Sequence, residues 1–292
     1  MMSQVLTLIA KPLTDDHVRL ATSLLPAGTD VDWLASGAAC DLRFTGDIEG
    51  LDGRLRAALD GQAVDLFCQP DGPERRRKLL VADMDSTIIT AECIDEMADL
   101  LGLKAQVAAI TERAMAGELD FPAALRERAA MLAGLSEADL QAVYDQRIHL
   151  TPGARALVAT MKAHGAHTAL VSGGFTFFTQ RVAAAAGFDH QQANQLQFLK
   201  GRLSGRVVEP ILGASEKRKA LTSLAEEQNL GLGETLAVGD GANDLAMIEI
   251  AGLGVAFHAK PVVARAAAAR IDHGDLTALL YLQGYRASEF RQ

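Results

Sequence analysis

Cysteine is scarce in this chain: Cys40, Cys68 and Cys93 are the only three, and none sits at the paired spacing of a metal site. Three scattered thiols point to a reducing compartment, and they are read as free. Positive charge is short as well. With 28 Lys and Arg against 37 Asp and Glu the net charge is −9, which argues against a nucleic-acid partner and against an anionic membrane surface. An anionic substrate would have to be drawn in by local charges and not by the overall field. No stretch is long and apolar enough to span a bilayer. The N-terminus lacks the charged-then-apolar pattern of an export signal, and no internal repeat or low-complexity tract appears. Together these absences predict a cytoplasmic protein. At 292 residues, 49% apolar, the chain can bury two ordinary cores, or one core with a cap and an appended domain.

What is present is acidic and placed at strand ends. The apolar run Leu79-Leu80-Val81-Ala82 delivers Asp83-Met84-Asp85-Ser86-Thr87, and strand alternation would set Asp83 and Asp85 on one face. Far downstream, Thr235-Leu236-Ala237-Val238 runs into Gly239-Asp240-Gly241-Ala242-Asn243-Asp244. In a doubly wound parallel sheet, ligands sit beyond the carboxyl ends of the strands, where such loops converge. Asp83, Asp85 and Asp240 could there build an oxygen-rich site for Mg²⁺. Between them, Ala169-Leu170-Val171 leads to Ser172-Gly173-Gly174-Phe175, a hydroxyl beside two glycines that could offer N–H groups to a phosphate ahead of a helix. Lys217-Arg218-Lys219 opens a helical stretch through Ala220, Leu221, Leu224 and Ala225. Each pattern alone has a plainer reading. An Asp-x-Asp is usually a solvated turn or cap, a Ser-Gly-Gly a turn, and a charge run the wet face of a helix.

These four stretches, in this order, resemble the haloacid dehalogenase superfamily of phosphohydrolases, and within it the phosphoserine phosphatases. The resemblance runs from about Lys78 to Leu282. It implies that Asp83 is the nucleophile, attacking phosphorus to form an aspartyl-phosphate. It implies that Asp85 is the acid toward the leaving oxygen and then the base toward water. Mg²⁺ would be held by Asp83, the Asp85 backbone carbonyl and Asp240, with Lys217 balancing charge on the transferring group. Ser172 and Gly173 would hold phosphate oxygens, while Asn243 and Asp244 would orient substrate and metal shell. Between the first two stretches lies far more chain than a βα connection needs, and it reads as helical. That insert, about 90–150, is expected to form a cap. Thr90 to Gly102 and Phe121 to Leu132 carry apolar residues at helical spacing, and Ser136-Glu137-Ala138-Asp139 reads as a capping box. By position in the family, Glu92 would take the ammonium and Arg128 the carboxylate of an amino-acid substrate. Arg126 is the alternative to Arg128, and Met115 and Phe121 match apolar cap positions. The plainer readings are a first-turn helix charge for Glu92 and a wet-face residue for Arg128.

Met1 to about Pro73 reads as a separate βαββαβ unit that resembles ACT-like domains. Its strands are expected at Val5–Ala10, Val31–Leu34, Ala39–Phe44 and Val64–Cys68, and its helices at Asp16–Leu25 and Leu51–Leu59. Such modules pair or bind amino acids, and a plain docking or dimerising role is as good a reading. The stretch Gln69 to Arg77 reads as a linker broken by Pro and Gly and kept wet by its charges. His164, His167 and His258 fall in loops away from the carboxylates, which disfavours a phosphohistidine or metal-histidine enzyme. The expected fold class is therefore α/β, a Rossmann-like parallel sheet over residues 74–292 with a helical cap, preceded by the small N-terminal domain. The expected function is Mg²⁺-dependent hydrolysis of O-phospho-L-serine to L-serine and phosphate, the last step of serine biosynthesis, in a protein that could form a homodimer. Another small phosphomonoester as substrate, or a regulatory amino-acid binder with a degenerate catalytic half, are the alternatives.

Overall fold

The computed structural model describes residues 3–115 and 118–292, Met115 by its backbone alone. The chain begins with β1 (Ser3–Ile9), α1 (Asp15–Ser23), β2 (Asp30–Ala35), β3 (Ala39–Thr45), α2 (Leu51–Ala58) and β4 (Asp65–Pro70). A reciprocal cap starts α1: the Thr14 hydroxyl accepts from His17 N, and His17 Nδ1 accepts from Thr14 N. The strands form an antiparallel sheet in the order β2-β3-β1-β4. Alternation divides it into two unlike faces. Leu6, Leu8, Cys40, Leu42 and Leu66 pack in one apolar cluster with Val18, Ala21, Leu51 and Leu55 of the two helices.

The opposite face carries Thr7 and Asp41, paired across β1 and β3, and both are fully buried. Arg75, read from sequence as a wet linker charge, lies against them at only 5% exposure. Its guanidinium takes both Asp41 oxygens, at 2.8 and 3.2 Å, and Thr7 donates to Asp41 Oδ1 at 2.7 Å. The linker reading is thus corrected twice, since Gln69 and Pro70 belong to β4 and Gln69 donates to Leu282 O at 2.6 Å.

The rest of the chain supplies β5 (Leu79–Ala82), α3 (Cys93–Leu100), α4 (Lys104–Met115), α5 (Phe121–Met131), α6 (Glu137–Arg147), α7 (Ala154–Ala163), β6 (His167–Phe175), α8 (Thr176–Ala186), β7 (His190–Leu199), β8 (Arg202–Val208), α9 (Ala214–Glu227), β9 (Thr235–Gly239), α10 (Leu245–Ile248), β10 (Leu253–Phe257), α11 (Pro261–Ala266), β11 (Ala269–Ile271) and α12 (Ala278–Leu282). The sheet runs β11-β10-β9-β5-β6-β7-β8, parallel throughout except for β8. Every residue of β5 is buried, as a central parallel strand requires. Leu80, Ala82, Leu170 and Val238 face one layer with α7, α8 and α12, whereas Leu79, Val81, Ala169 and Ala237 face another with α9 and α10. Because β5 lies between β6 and β9, the ends of these three strands share one crevice.

Helices α3 to α6 leave the sheet after β5 and return before α7. At the neck, Thr90 N donates to His149 O and Thr151 N to Ile88 O. The expected helix over 90–102 is shorter, Cys93–Leu100, because the first free N–H goes to the Asp85 carboxylate. Ser136 and Asp139 form the reciprocal cap of α6. Cys40, Cys68 and Cys93 are free thiols. Among the described residues no helix is long and apolar enough to cross a membrane.

Candidate active site

Asp83 follows β5 in extended conformation, its N–H held by Val238 O of β9 at 3.0 Å. The chain then turns sharply, with Ser86 in the left-handed region at φ 54°, a strained conformation for a residue with a side chain. That turn brings Asp85 under α3. Its Oδ1 accepts from Cys93 N at 2.8 Å at the helix N-terminus, and its Oδ2 accepts from the Ser172 hydroxyl at 3.3 Å. Burial, and then the charge of Glu92, push the Asp85 carboxyl up to about 6.

Lys217 projects from the first turn of α9 into the sheet's end and is fully buried. Its ammonium lies 2.5 Å from Asp83 Oδ1 and 2.5 Å from Asp244 Oδ1. Burial opposes the Lys217 charge, but Asp244 and Asp83 outweigh it and hold the ammonium above its ordinary range. Asp244 Oδ2 in turn accepts from Gly241 N at 3.0 Å, which closes the loop after β9. Carboxylate oxygens of Asp83, Asp240 and Asp244 all lie within 4.8 Å of one another. Burial, and then Asp244 and Glu92, push Asp240 up to about 7 against the pull of Lys260 and Lys217. Two buried carboxylates on one ammonium, with half-buried Asp240 beside them, leave negative charge uncompensated, and a divalent cation with oxygen preference suits that set. Both oxygens of Asp244 are already engaged by the protein. Asp240 is the half-buried member of the three, with the more open side.

Ser172-Gly173-Gly174, read from sequence as a loop at a strand end, is the extended end of β6 itself. Phe175 pairs with Asn194 after a shift of register, and Ser172 Oγ accepts from Gly174 N at 2.8 Å. Gly173 lies close under an aromatic ring. A Cβ there would approach Phe121 Cζ to 3.0 Å, so the ring at the start of α5 sits directly on the strand end. The cap side presents Glu92, which accepts from Ser86 Oγ at 2.7 Å. Arg128 is half-buried, its guanidinium donating to Ala124 O and Thr111 Oγ1, both at 3.3 Å. Burial lowers the Arg128 pKa while Asp95, Glu92 and Asp85 act in the opposite sense, which places those carboxylates around it. Arg126 faces elsewhere, on exposed Glu209 at 2.6 Å. Asn243 is half-buried in the loop after β9, beside Gly241. The side chain of Met115 lies outside the described residues.

Asn194 had gone unmarked in the sequence. It is 2% exposed in β7, donates to Gly173 O and Leu212 O at 2.9 and 3.1 Å, and accepts from Leu212 N at 2.6 Å. It therefore ties the Ser172 strand to the segment that launches the Lys217 helix. An amide in a strand, where such residues are disfavoured, was the available signal.

The sequence profile of haloacid dehalogenase-like hydrolases matches residues 80–249. A phosphoserine phosphatase of Albidiferax ferrireducens is 48% identical, over 70% of this chain and 89% of its own. One of Streptomyces coelicolor is 39% identical over 98% of this chain and 71% of its own. The solved structure of a probable phosphoserine phosphatase from Vibrio cholerae superposes with a TM-score of 0.80 at 34% identity, over 99% of this chain and 88% of that one.

Proposed function

Since the chain belongs to the haloacid dehalogenase-like hydrolases, with phosphoserine phosphatases among its relatives, we infer that it converts O-phospho-L-serine and water to L-serine and inorganic phosphate. The observation that carries the chemistry is the pairing of Asp83 Oδ1 with buried Lys217 at 2.5 Å, which fixes one carboxylate oxygen and leaves the other to attack phosphorus. In the first half-reaction Asp83 forms a bond to phosphorus as the bond to the serine oxygen breaks, and Asp85 gives that oxygen a proton. A carboxyl pushed up to about 6 can hold a proton near neutral pH. In the second, Asp85 takes the proton from water, water attacks phosphorus, and the Asp83 carboxylate is released. Lys217 offsets charge throughout. Ser172 and the N–H of Gly173 would bind phosphoryl oxygens, and Asn243 would orient them.

Mg²⁺, held by Asp83, Asp240 and the Asp85 carbonyl with Asp244 orienting the set, would supply charge neutralisation at the phosphoryl group. Glu92 and Arg128 would take the ammonium and carboxylate of serine, with Phe121 excluding water above Gly173. Free thiols suit a cytoplasmic setting. Residues 1–73 are read as an ACT-like docking domain and 74–292 as the phosphatase domain with its cap over about 90–150. A homodimer would have the free edge of β2 available, and light scattering decides that point.

The test is phosphate release from O-phospho-L-serine with and without Mg²⁺, beside phosphothreonine, a sugar phosphate and an aryl phosphate. The expected result is strong Mg²⁺-dependent preference for phosphoserine. Turnover of the others alone would overturn the roles of Glu92 and Arg128, and no turnover of any would overturn the phosphohydrolase reading.

A further inference from the structure

The N-terminal unit touches the catalytic sheet through a carboxylate that no step of the reaction uses. Asp65, at the start of β4, is 2% exposed. Its two oxygens accept from three consecutive backbone N–H groups after β11: Asp272 N at 2.7 Å, His273 N at 3.2 Å to each oxygen, and Gly274 N at 2.7 Å. Such charge-assisted bonds are the strong kind, and here they fix the path of a loop that belongs to no helix or strand. Lys11 of the same unit adds a second tie, 2.7 Å from Asp275.

From that loop the contacts lead to the segment that carries Asp240. His258 stands at φ 45°, in the left-handed region. Its N–H donates to Ile271 O at 2.8 Å, and its ring Nε2 lies 2.7 Å from Gly274 O, so Nε2 carries the proton and donates. Two residues on, Lys260 N donates to the carbonyl of Asp240 at 3.2 Å. A continuous series of bonds therefore runs from Asp65 through Gly274, His258 and Lys260 to the backbone of the carboxylate most open to a cation.

We propose that Asp65, acting through Gly274 and His258, is a positioning residue for Asp240, so that the N-terminal unit sets the affinity of the catalytic half for its divalent cation. This rests on the reading of Asp240 as a metal ligand. With Asp65 or His258 unable to bond, the 272–274 loop and the strained His258 backbone relax, and the Asp240 carboxylate is held in place less of the time.

The experiment is calorimetric titration of the full chain with Mg²⁺ alone, on wild type, Asp65→Asn, His258→Ala, His258→Gln, the double variant Asp65→Asn/His258→Ala and Asp240→Asn, each checked for folding by circular dichroism. Networks of this kind modulate coupling by about three- to thirtyfold. Mg²⁺ dissociation constants raised by that factor in Asp65→Asn and His258→Ala are expected. His258→Gln, which keeps a donor at the same reach, should return close to wild type. The double variant should be no weaker than the worse single one, because both act through one loop. At saturating Mg²⁺ the KM for phosphoserine should be unchanged. Unaltered Mg²⁺ affinity in His258→Ala overturns the proposal, even where Asp65→Asn fails to fold, and so does additivity in the double variant. Wild-type binding abolished by Asp240→Asn shows the metal reading standing in either case. A wild-type chain that binds no Mg²⁺ overturns that reading, and this proposal with it.

Discussion

Asp83 and Asp244 share one buried ammonium, and this decides what single substitutions do. In Asp83→Asn, Lys217 keeps Asp244 at 2.5 Å as its counter-charge, so no unpaired buried charge is created and the fold should persist. The proposed nucleophile is gone. Turnover of phosphoserine and the adduct with beryllofluoride should both vanish while the circular dichroism spectrum is unchanged, and substantial residual turnover would remove Asp83 from its role. The two arginines of α5 separate in the same way. Arg128 is half-buried in the field of Asp95, Glu92 and Asp85 with no ion-pair partner among the described residues, whereas Arg126 is spent on an exposed pair with Glu209. Truncating one partner of a buried, hydrogen-bonded charge pair costs about 2–5 kcal/mol. Arg128→Ala should therefore cost about a hundredfold in kcat/KM for phosphoserine and much less for an aryl phosphate. Arg126→Ala should cost almost nothing on either. Equal losses on both substrates for Arg128→Ala would place it outside the head-group site.

Between elements, buried Arg75 links the N-terminal sheet to α12, donating to Leu282 O at 3.4 Å as well as to Asp41. Removing one partner of a buried pair costs about 3–5 kcal/mol, while an exposed pair such as Arg126 with Glu209 is worth about 0–1 kcal/mol. Chemical denaturation of Arg75→Ala should show a loss at the low end of the first range, since Arg43 still reaches Asp41 at 3.4 Å, and adding Asp41→Asn should recover part of it by removing the under-paired charge. A loss under 1 kcal/mol would make the contact incidental. Arg75 also marks what sequence could not tell. It lies in a run of arginines next to Pro and Gly, the composition of a wet linker, and its partner Asp41 is 34 residues away. Only pairing of β1 with β3 brings that carboxylate to the sheet's inner face. Helix α3 begins late for a similar reason, because Asp85 accepts its first N–H from across a turn. Ser172 to Gly174 stays extended because Asn194 holds Gly173 from the next strand. Where signals were local they were readable: four consecutive apolar residues for β5, the apolar run Val5 to Ala10 for β1, and the Ser136–Asp139 cap for α6. The acidic strand ends were readable because parallel sheets gather their ligands there.

At the scale of the molecule, the acidic cluster weakens the fold as long as no cation offsets its charge. Asp240, with an ordinary value of 3.8, is pushed up to about 7 in the folded chain by burial and then by Asp244 and Glu92. Below pH 3.8 it is protonated folded or unfolded and contributes nothing. Between about pH 4 and pH 7 the unfolded chain has lost this proton and the folded chain retains it, so stability falls as pH rises, and above pH 7 the loss is complete. In EDTA, the wild type should therefore lose stability relative to Asp240→Asn across that window, read as the difference between their urea midpoints at pH 4.5 and pH 7.5. Comparing the two proteins cancels the carboxylates elsewhere whose pKa values are lowered. Saturating Mg²⁺ at pH 7.5 should reverse the order, because a ligand bound only by the folded chain stabilises it by mass action, and Asp240→Asn should gain far less. A pH-independent difference in EDTA would mean that Asp240 is not held against uncompensated charge. A Mg²⁺ response equal in both proteins would remove it from the metal site.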